Sequence, residues 1–241
     1  MRMRKKKHRL DRFNALTDFI IEIPEELYIN PHKPFELTSD TEKPLRLEIG
    51  CGKGDFIMKT SEREDSFNYY AMEKATDVII TAAEKYAEKM GLGENDGSGK
   101  IVVRDIDESE KSRCGNVRFI NTDAANLASY FPENTFSSIY LNFSDPWRKK
   151  GYTKRRLTHI AFLDLYSDLL IPGGTLEIKT DNSDFFDFTI EQLAQSKFNI
   201  TWETRDLHNS ERAETNIMTE YEIYFSSQGT KINSLTAQNG K

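Results

Sequence analysis

Residues 142–156 read NFSDPWRKKGYTKRR: one carboxylate (Asp145), one indole (Trp147) and six cations, Arg148, Lys149, Lys150, Lys154, Arg155 and Arg156. Cations at this density neutralise phosphates, while a carboxylate beside a flat ring can hold a purine. The chemistry this points to is chemistry on a base held by its phosphate backbone. Trp147 suits either stacking on that base or anchoring the loop in the core. Lys149 suits phosphate or base contact.

A second constellation is LEIGCGKGDF, residues 47–56. Gly50, Gly52 and Gly54 let the backbone turn sharply and let a ligand approach where a Cβ would intrude. The dinucleotide fingerprint needs its third glycine one residue later, and a phosphate-binding P-loop needs Ser or Thr where Gly54 stands. Glu48 would repel a pyrophosphate but suits a ligand with an ammonium group. S-adenosylmethionine, with an ammonium, a sulfonium and no phosphate, meets these conditions. Glu73 stands where doubly wound folds place an acid for ribose hydroxyls, and Asp123 could take the exocyclic amine of adenine. Each acid also has a plainer use, Glu73 as a carboxylate at a helix start and Asp123 as an N-cap.

Both constellations need strand ends to hold them. Leu45–Ile49, Tyr69–Met72, Val117–Asn121, Ser138–Phe143 and Thr175–Thr180 read as short buried strands, alternating with helical stretches at 55–63, 76–90, 126–131, 157–170 and 184–195. The alternation predicts an α/β fold, a mostly parallel seven-stranded sheet covered by helices on both faces. Two later runs, Phe198–Glu203 and Glu220–Phe225, complete the strand count. Tyr221 then reads as a strand core residue, with Thr219 and Glu222 beside it pointing to the site. Residues 91–115 read as an insertion containing a hairpin. The polar residues 226–241 read as a disordered tail. The expected organisation is a basic arm and leading segment over 1–40, one domain over 41–225, and that tail.

The net charge is −6 over 241 residues, which alone argues against a nucleic-acid partner. The positive charge is concentrated at 2–9 and 148–156, and two basic patches on an acidic body would recruit a polyanion locally. No run of about 18 apolar residues appears. Two cysteines, Cys51 and Cys114, have no metal-ligand spacing against the four histidines, so the expectation is a reduced, cytoplasmic protein with no metal and no membrane partner.

The chain resembles the bacterial tRNA (guanine-N7-)-methyltransferases of the TrmB type over about residues 45–225. The resemblance is carried by the turn at 47–56, by NFSDPWRKKGYTKRRL (142–157), by KTDN (179–182) and by TEYE (219–222), in that order. It implies a class I S-adenosylmethionine-dependent methyltransferase, Rossmann-like in fold, that methylates guanine 46 of the tRNA variable loop as a monomer or homodimer. It places Glu48, Glu73, Asp123 and Asp145 at the cofactor, with Asp145 also facing the base. Lys149, Asp181, Thr219, Glu220, Tyr221 and Glu222 fall at substrate-contacting positions. The tRNA would bind through 148–156, with the N-terminal arm as a second candidate contact. Ser144 replaces the usual proline, and Gly151-Tyr152 occupies a stretch that commonly holds basic residues.

Guanine N7 has an in-plane lone pair and no proton, so the expected reaction is direct in-line attack, without metal or covalent intermediate. Asp145 would stabilise the positive charge that N7 gains. Asp181 or Glu222 would accept from guanine N1–H and N2–H, an edge adenine lacks. Two other readings explain fewer residues. A methyltransferase for a small molecule or protein leaves the cationic run unused, and a non-catalytic RNA-binding module leaves the intact glycine turn unused.

Overall fold

The structure is a computed structural model that describes residues 8–21, 30–36, 42–97 and 100–241. The basic run at 2–9 therefore lies almost wholly outside the described residues, as does much of the leading segment. Among the described residues ten strands form: β1 (Ile20–Ile21), β2 (Leu45–Ile49), β3 (Asn68–Met72), β4 (Gly93–Asn95), β5 (Ile101–Val103), β6 (Val117–Ile120), β7 (Phe136–Asn142), β8 (Leu170–Thr180), β9 (Phe198–Thr204) and β10 (Asn233–Asn239). The α-helices are α1 (Arg9–Asn14), α2 (Asp55–Arg63), α3 (Thr76–Lys89), α4 (Leu127–Tyr130), α5 (Ile160–Leu169), α6 (Ser183–Leu193) and α7 (Glu220–Ser226).

Among the described residues the main sheet has eight strands, not seven, in the order β1-β6-β3-β2-β7-β8-β10-β9. The β1–β6, β3–β6 and β7–β8 pairs are parallel, and β10 runs antiparallel to both β8 and β9. The extra strand at one edge is β1, two residues long and too short to read from sequence. The strand order reverses at β2, the place where open α/β sheets bind ligands, and the glycine turn follows β2 directly.

The chain forms two compact units, Met1–Leu45 with Gly50–Phe131, and Arg46–Ile49 with Pro132–Lys241. In the first, one face of α3 buries Ile79, Ile80, Ala83, Tyr86 and Ala87 in a cluster with Tyr69, Ala71, Val117 and Phe119. Those helical residues recur at three- and four-residue spacing, which is what makes α3 amphipathic. The insertion forms the expected hairpin, β4 antiparallel to β5. In the second unit, β7 and the carboxyl half of β8 supply the buried Ile139, Leu141, Leu176 and Ile178.

Two expectations are corrected. Residues 226–241 are not a disordered tail, because β10 lies between β8 and β9. Its sequence, NSLTAQN, has only Leu235 and Ala237 as apolar residues. Its buried polar groups are instead hydrogen-bonded: Asn233 Nδ2 donates to Thr180 O and Asn239 Nδ2 to Ser167 O. Satisfied in this way, polar side chains can occupy a central strand. Nor is Glu220–Phe225 a strand. It lies in α7, whose N-cap Thr219 accepts from Glu222 N at 2.9 Å. The Thr-x-x-Glu spacing is a helix-start signal.

Candidate active site

In the first unit the glycine turn is drawn onto the end of β3, where Gly50 N and Cys51 N both donate to Met72 O at 2.8 and 2.9 Å. The three glycines adopt φ of 78°, 56° and 80°, a region that costs other L-residues roughly 1–2 kcal/mol. Their surroundings differ. A Cβ on Gly50 or Gly52 would meet nothing within 4 Å, whereas one on Gly54 would meet Met58 Cε at 2.9 Å and Ala82 Cβ at 3.2 Å. Gly54 therefore serves the packing of α2 against α3, and Gly50 and Gly52 leave bare backbone on an open side.

Glu73 fastens this turn: Oε2 accepts from Gly52 N at 3.3 Å and Oε1 from Ala75 N at 2.8 Å. Asn121 Nδ2 donates to Glu73 O at 2.8 Å, joining the ends of β3 and β6. Asp123 is the N-cap of a short 3-10 turn, its Oδ1 accepting from Ala125 N, and its Oδ2 pairs with Lys74 Nζ at 2.5 Å. The Lys74 ammonium, then the Ala125 N–H, holds this carboxyl below the usual aspartate range. Lys74 was not singled out from the sequence, because its partner lies 49 positions away.

In the second unit Glu48 is 2% exposed and Oε1 accepts from Asn142 Nδ2 at 2.9 Å. Asn142, the first residue of the basic motif, is thus a support for the β2 carboxylate. After it the chain turns through Phe143, at φ 54°, whose N–H donates to Lys179 O at 2.8 Å. Asp145 is exposed on the following loop. Trp147, at φ 41°, is not anchored in the core. It is half-buried, its ring centroid 5.7 Å from that of Tyr152 in an edge-to-face arrangement, with the Arg155 guanidinium over both rings at 5.2 and 4.5 Å. Arg156 is the anchor, donating to Pro146 O at 2.8 Å and lying 4.4 Å over Phe188. Arg148, Lys149, Lys154 and Arg155 are exposed and have no ion-pair partner among the described residues.

The KTDN and TEYE motifs meet. Lys179 Nζ donates to Glu222 Oε2 at 2.8 Å, Ile217 O at 2.8 Å and Asn216 Oδ1 at 3.1 Å, and Glu222 Oε1 bonds His208 Nε2 at 2.8 Å. Glu222 is fully buried and both its oxygens are engaged within the protein. Burial pushes its carboxyl up, but the Lys179 charge and the bonds from Lys179, His208 and Asn216 together hold it below the usual range. Burial draws the Lys179 ammonium down, and Glu222 restores only part of that. Asp181 is half-buried at the end of β8, Thr219 is half-buried as the cap of α7, and Glu220 and Tyr221 are exposed on that helix. Tyr221 is therefore not a core residue. His208 and Asn216 carried no sequence signal, being polar residues in irregular segments.

A methyltransferase family model, described as "Putative methyltransferase", matches residues 42–235; it is the family of the tRNA (guanine-N7-)-methyltransferases of the TrmB type. The chain belongs to that family. Solved structures agree on the fold. An antibiotic-related methyltransferase aligns at TM-score 0.52 and 14% identity, covering 98% of this chain and 96% of its own. A geranyl diphosphate methyltransferase, solved with GPP and sinefungin, aligns at TM-score 0.52 and 13% identity, covering 84% and 73%. The [4+2]-cyclase SpnF aligns at TM-score 0.51 and 15% identity, covering 85% and 78%. A cyclase among them means that the fold alone does not decide the reaction. The fold is that of the class I S-adenosylmethionine-dependent methyltransferases, and family membership assigns the chain that cofactor.

The residues present fit it. In the first unit Gly50 and Gly52 leave room beside bare backbone, and Glu73 and Asp123 are acids at its strand ends, suited to hydroxyl and amine groups; in the second, Glu48 is an acid on β2, suited by charge to an ammonium. No helix of the described residues is long and apolar enough to cross a membrane. The glycine geometry yields a paired expectation. Gly52→Ala and Gly54→Ala each lose about 1–2 kcal/mol of stability from backbone strain, and Gly54→Ala loses more through its packing clash. Only Gly52→Ala weakens S-adenosylhomocysteine by roughly tenfold or more beyond its stability loss. Thermal unfolding with calorimetric titration separates the two, and equal cofactor losses in both would contradict the assignment.

Proposed function

We propose that this chain transfers a methyl group to N7 of a guanine in tRNA, at guanine 46 of the variable loop as the family resemblance implies. The observation that carries the reading is the loop after β7. Its acid, Asp145, shares one segment with Arg148, Lys149, Lys154 and Arg155, four exposed cations that no described carboxylate neutralises. A small-molecule acceptor leaves these charges without use, whereas a phosphate backbone uses them all.

S-adenosylmethionine, when bound, supplies an electrophilic methyl on a sulfonium. The N7 lone pair would take up that methyl while the S–C bonding pair stays with sulfur, so this chain's residues would have no proton to move. The protein contributes alignment, for which well-oriented reactions gain roughly 7–11 kcal/mol. Glu48, Glu73 and Asp123 hold the cofactor, the four cations hold the RNA backbone, and Asp145 stabilises the positive charge that the purine acquires. With Glu222 committed to Lys179, selection of guanine through N1–H and N2–H falls to Asp181, half-buried at the end of β8.

A transcript in which 7-deazaguanine replaces guanine 46 tests the attacking atom. It keeps the N1–H and N2–H edge but offers no nucleophile at position 7. The expected result is unchanged binding with no methyl transfer at that nucleotide. Methylation of the 7-deaza transcript there would place the chemistry on another atom.

A further inference from the structure

The face of α7 is inverted relative to an ordinary surface helix. Its carboxylate Glu222 is 0% exposed, while Tyr221, Ile223 and Tyr224 are 55%, 48% and 60% exposed. Acids almost never occupy the fully buried side of a helix unless paired, and adjoining exposed apolar side chains mark contact surfaces. Tyr221, Tyr224 and Phe225 are three and four residues apart and share one face. Tyr221 lies 4.7 Å from Phe225 and 5.6 Å from Phe143, and Tyr224 stands edge-on to Phe225 at 5.1 Å. Four rings thus form a continuous shelf, fastened from beneath by the Lys179–Glu222 pair and by Phe143 N–H on Lys179 O.

We infer that this shelf, Phe143 with Tyr221, Tyr224 and Phe225, is a stacking site for an unpaired nucleobase of the RNA substrate. The inference rests on the proposed tRNA function and deepens it: Tyr221, at a substrate-contacting position by the resemblance, gains a stacking role shared with Phe143, Tyr224 and Phe225. Two observations select this occupant. The side chains are flat rings rather than branched aliphatics, which suits base faces and tolerates any sequence. The shelf also continues along the chain, two residues after Phe143, into Asp145 and then the unneutralised cations, so a strand lying on that loop would bring its bases to the rings.

The Tyr221→Ala/Tyr224→Ala variant is expected to bind a tRNA transcript roughly tenfold more weakly, within the approximately 5- to 150-fold range that loss of base stacking spans. The slope of log Kd against log salt stays unchanged, because a ring releases no counterions. Tyr221→Phe/Tyr224→Phe keeps the rings and stays within about twofold of wild type. Tyr224→Ala alone, at the most exposed position, shows a partial loss and guards against misfolding of the double variant. Undiminished tRNA binding by the alanine variants, with wild-type protein binding and methylating the same transcript, overturns the shelf and leaves the proposed function standing. No tRNA binding by the wild type overturns both. A wild-type dimer that the alanine variant converts to monomer in sedimentation assigns the face to a second copy of this chain and overturns the inference.

Discussion

Asp145→Asn lowers kcat by about 10²–10³-fold, the cost of losing one preorganised electrostatic partner of developing charge, while tRNA affinity changes by less than about threefold. The split follows from where the charge lies along the reaction. On the proposed function the guanine that binds is neutral at N7, so a carboxylate gains little from it in the ground state. Once N7 takes the methyl, the ring is cationic, and an anion beside it is worth far more than an amide of the same shape. Interactions that strengthen only in the transition state appear in kcat. Nor does the substitution disturb the fold, since Asp145 is exposed on its loop. Single-turnover methylation beside equilibrium binding of the transcript measures both quantities. Comparable losses in the two would make Asp145 a binding residue and remove the stabilising role.

Glu222→Gln or Lys179→Met lowers stability by about 3–5 kcal/mol, because removing one member of a buried pair leaves the other charge uncompensated. For a chain of this size that is a fall in Tm of roughly 6–20 °C. The double substitution Lys179→Met/Glu222→Gln loses less than the sum of the two single changes, since it leaves no stranded charge. Additive losses in the cycle would contradict the pairing. The sign of the pH dependence follows from Glu222. Its folded carboxyl titrates lower than its unfolded one, so the folded state binds fewer protons across that interval. The contribution is present above the unfolded value of about 4.3 and is lost as pH falls through the lowered folded value. On the proposed function activity falls as well, because the pair joins the end of β8, which carries Asp181, to α7, which carries Tyr221.

The parts of this molecule visible in its sequence are those in which one local pattern decides the outcome. Leu45–Ile49 and Tyr69–Met72 are short, largely apolar runs bounded by turn signals, which favours buried strands, and Gly50, Gly52 and Gly54 announce a backbone that is strained for other residues. What escaped was decided by partners far along the chain. β10 looks like a tail until Asn233 and Asn239 find Thr180 and Ser167, 53 and 72 positions away. Glu222 looks like a free acid beside a substrate until Lys179, 43 positions earlier, closes on it. In α7 two local signals conflict: alternation in TEYEIYF favours a strand, the Thr219–Glu222 spacing favours a helix start, and burial of the Glu222 side chain settles it. The same burial turned Tyr221 outward, so one misread period hid both a structural pair and an exposed aromatic face.

The central claim is methyl transfer to one atom of one nucleotide class. The measurement that meets it most directly is transfer from labelled S-adenosylmethionine to a tRNA transcript carrying guanine 46, beside an otherwise identical transcript carrying adenine there, followed by nucleoside analysis. Label recovered as 7-methylguanosine from the guanine transcript alone is the predicted result. Label in neither transcript, from protein that binds S-adenosylhomocysteine, would contradict it and direct the search to a different methyl acceptor.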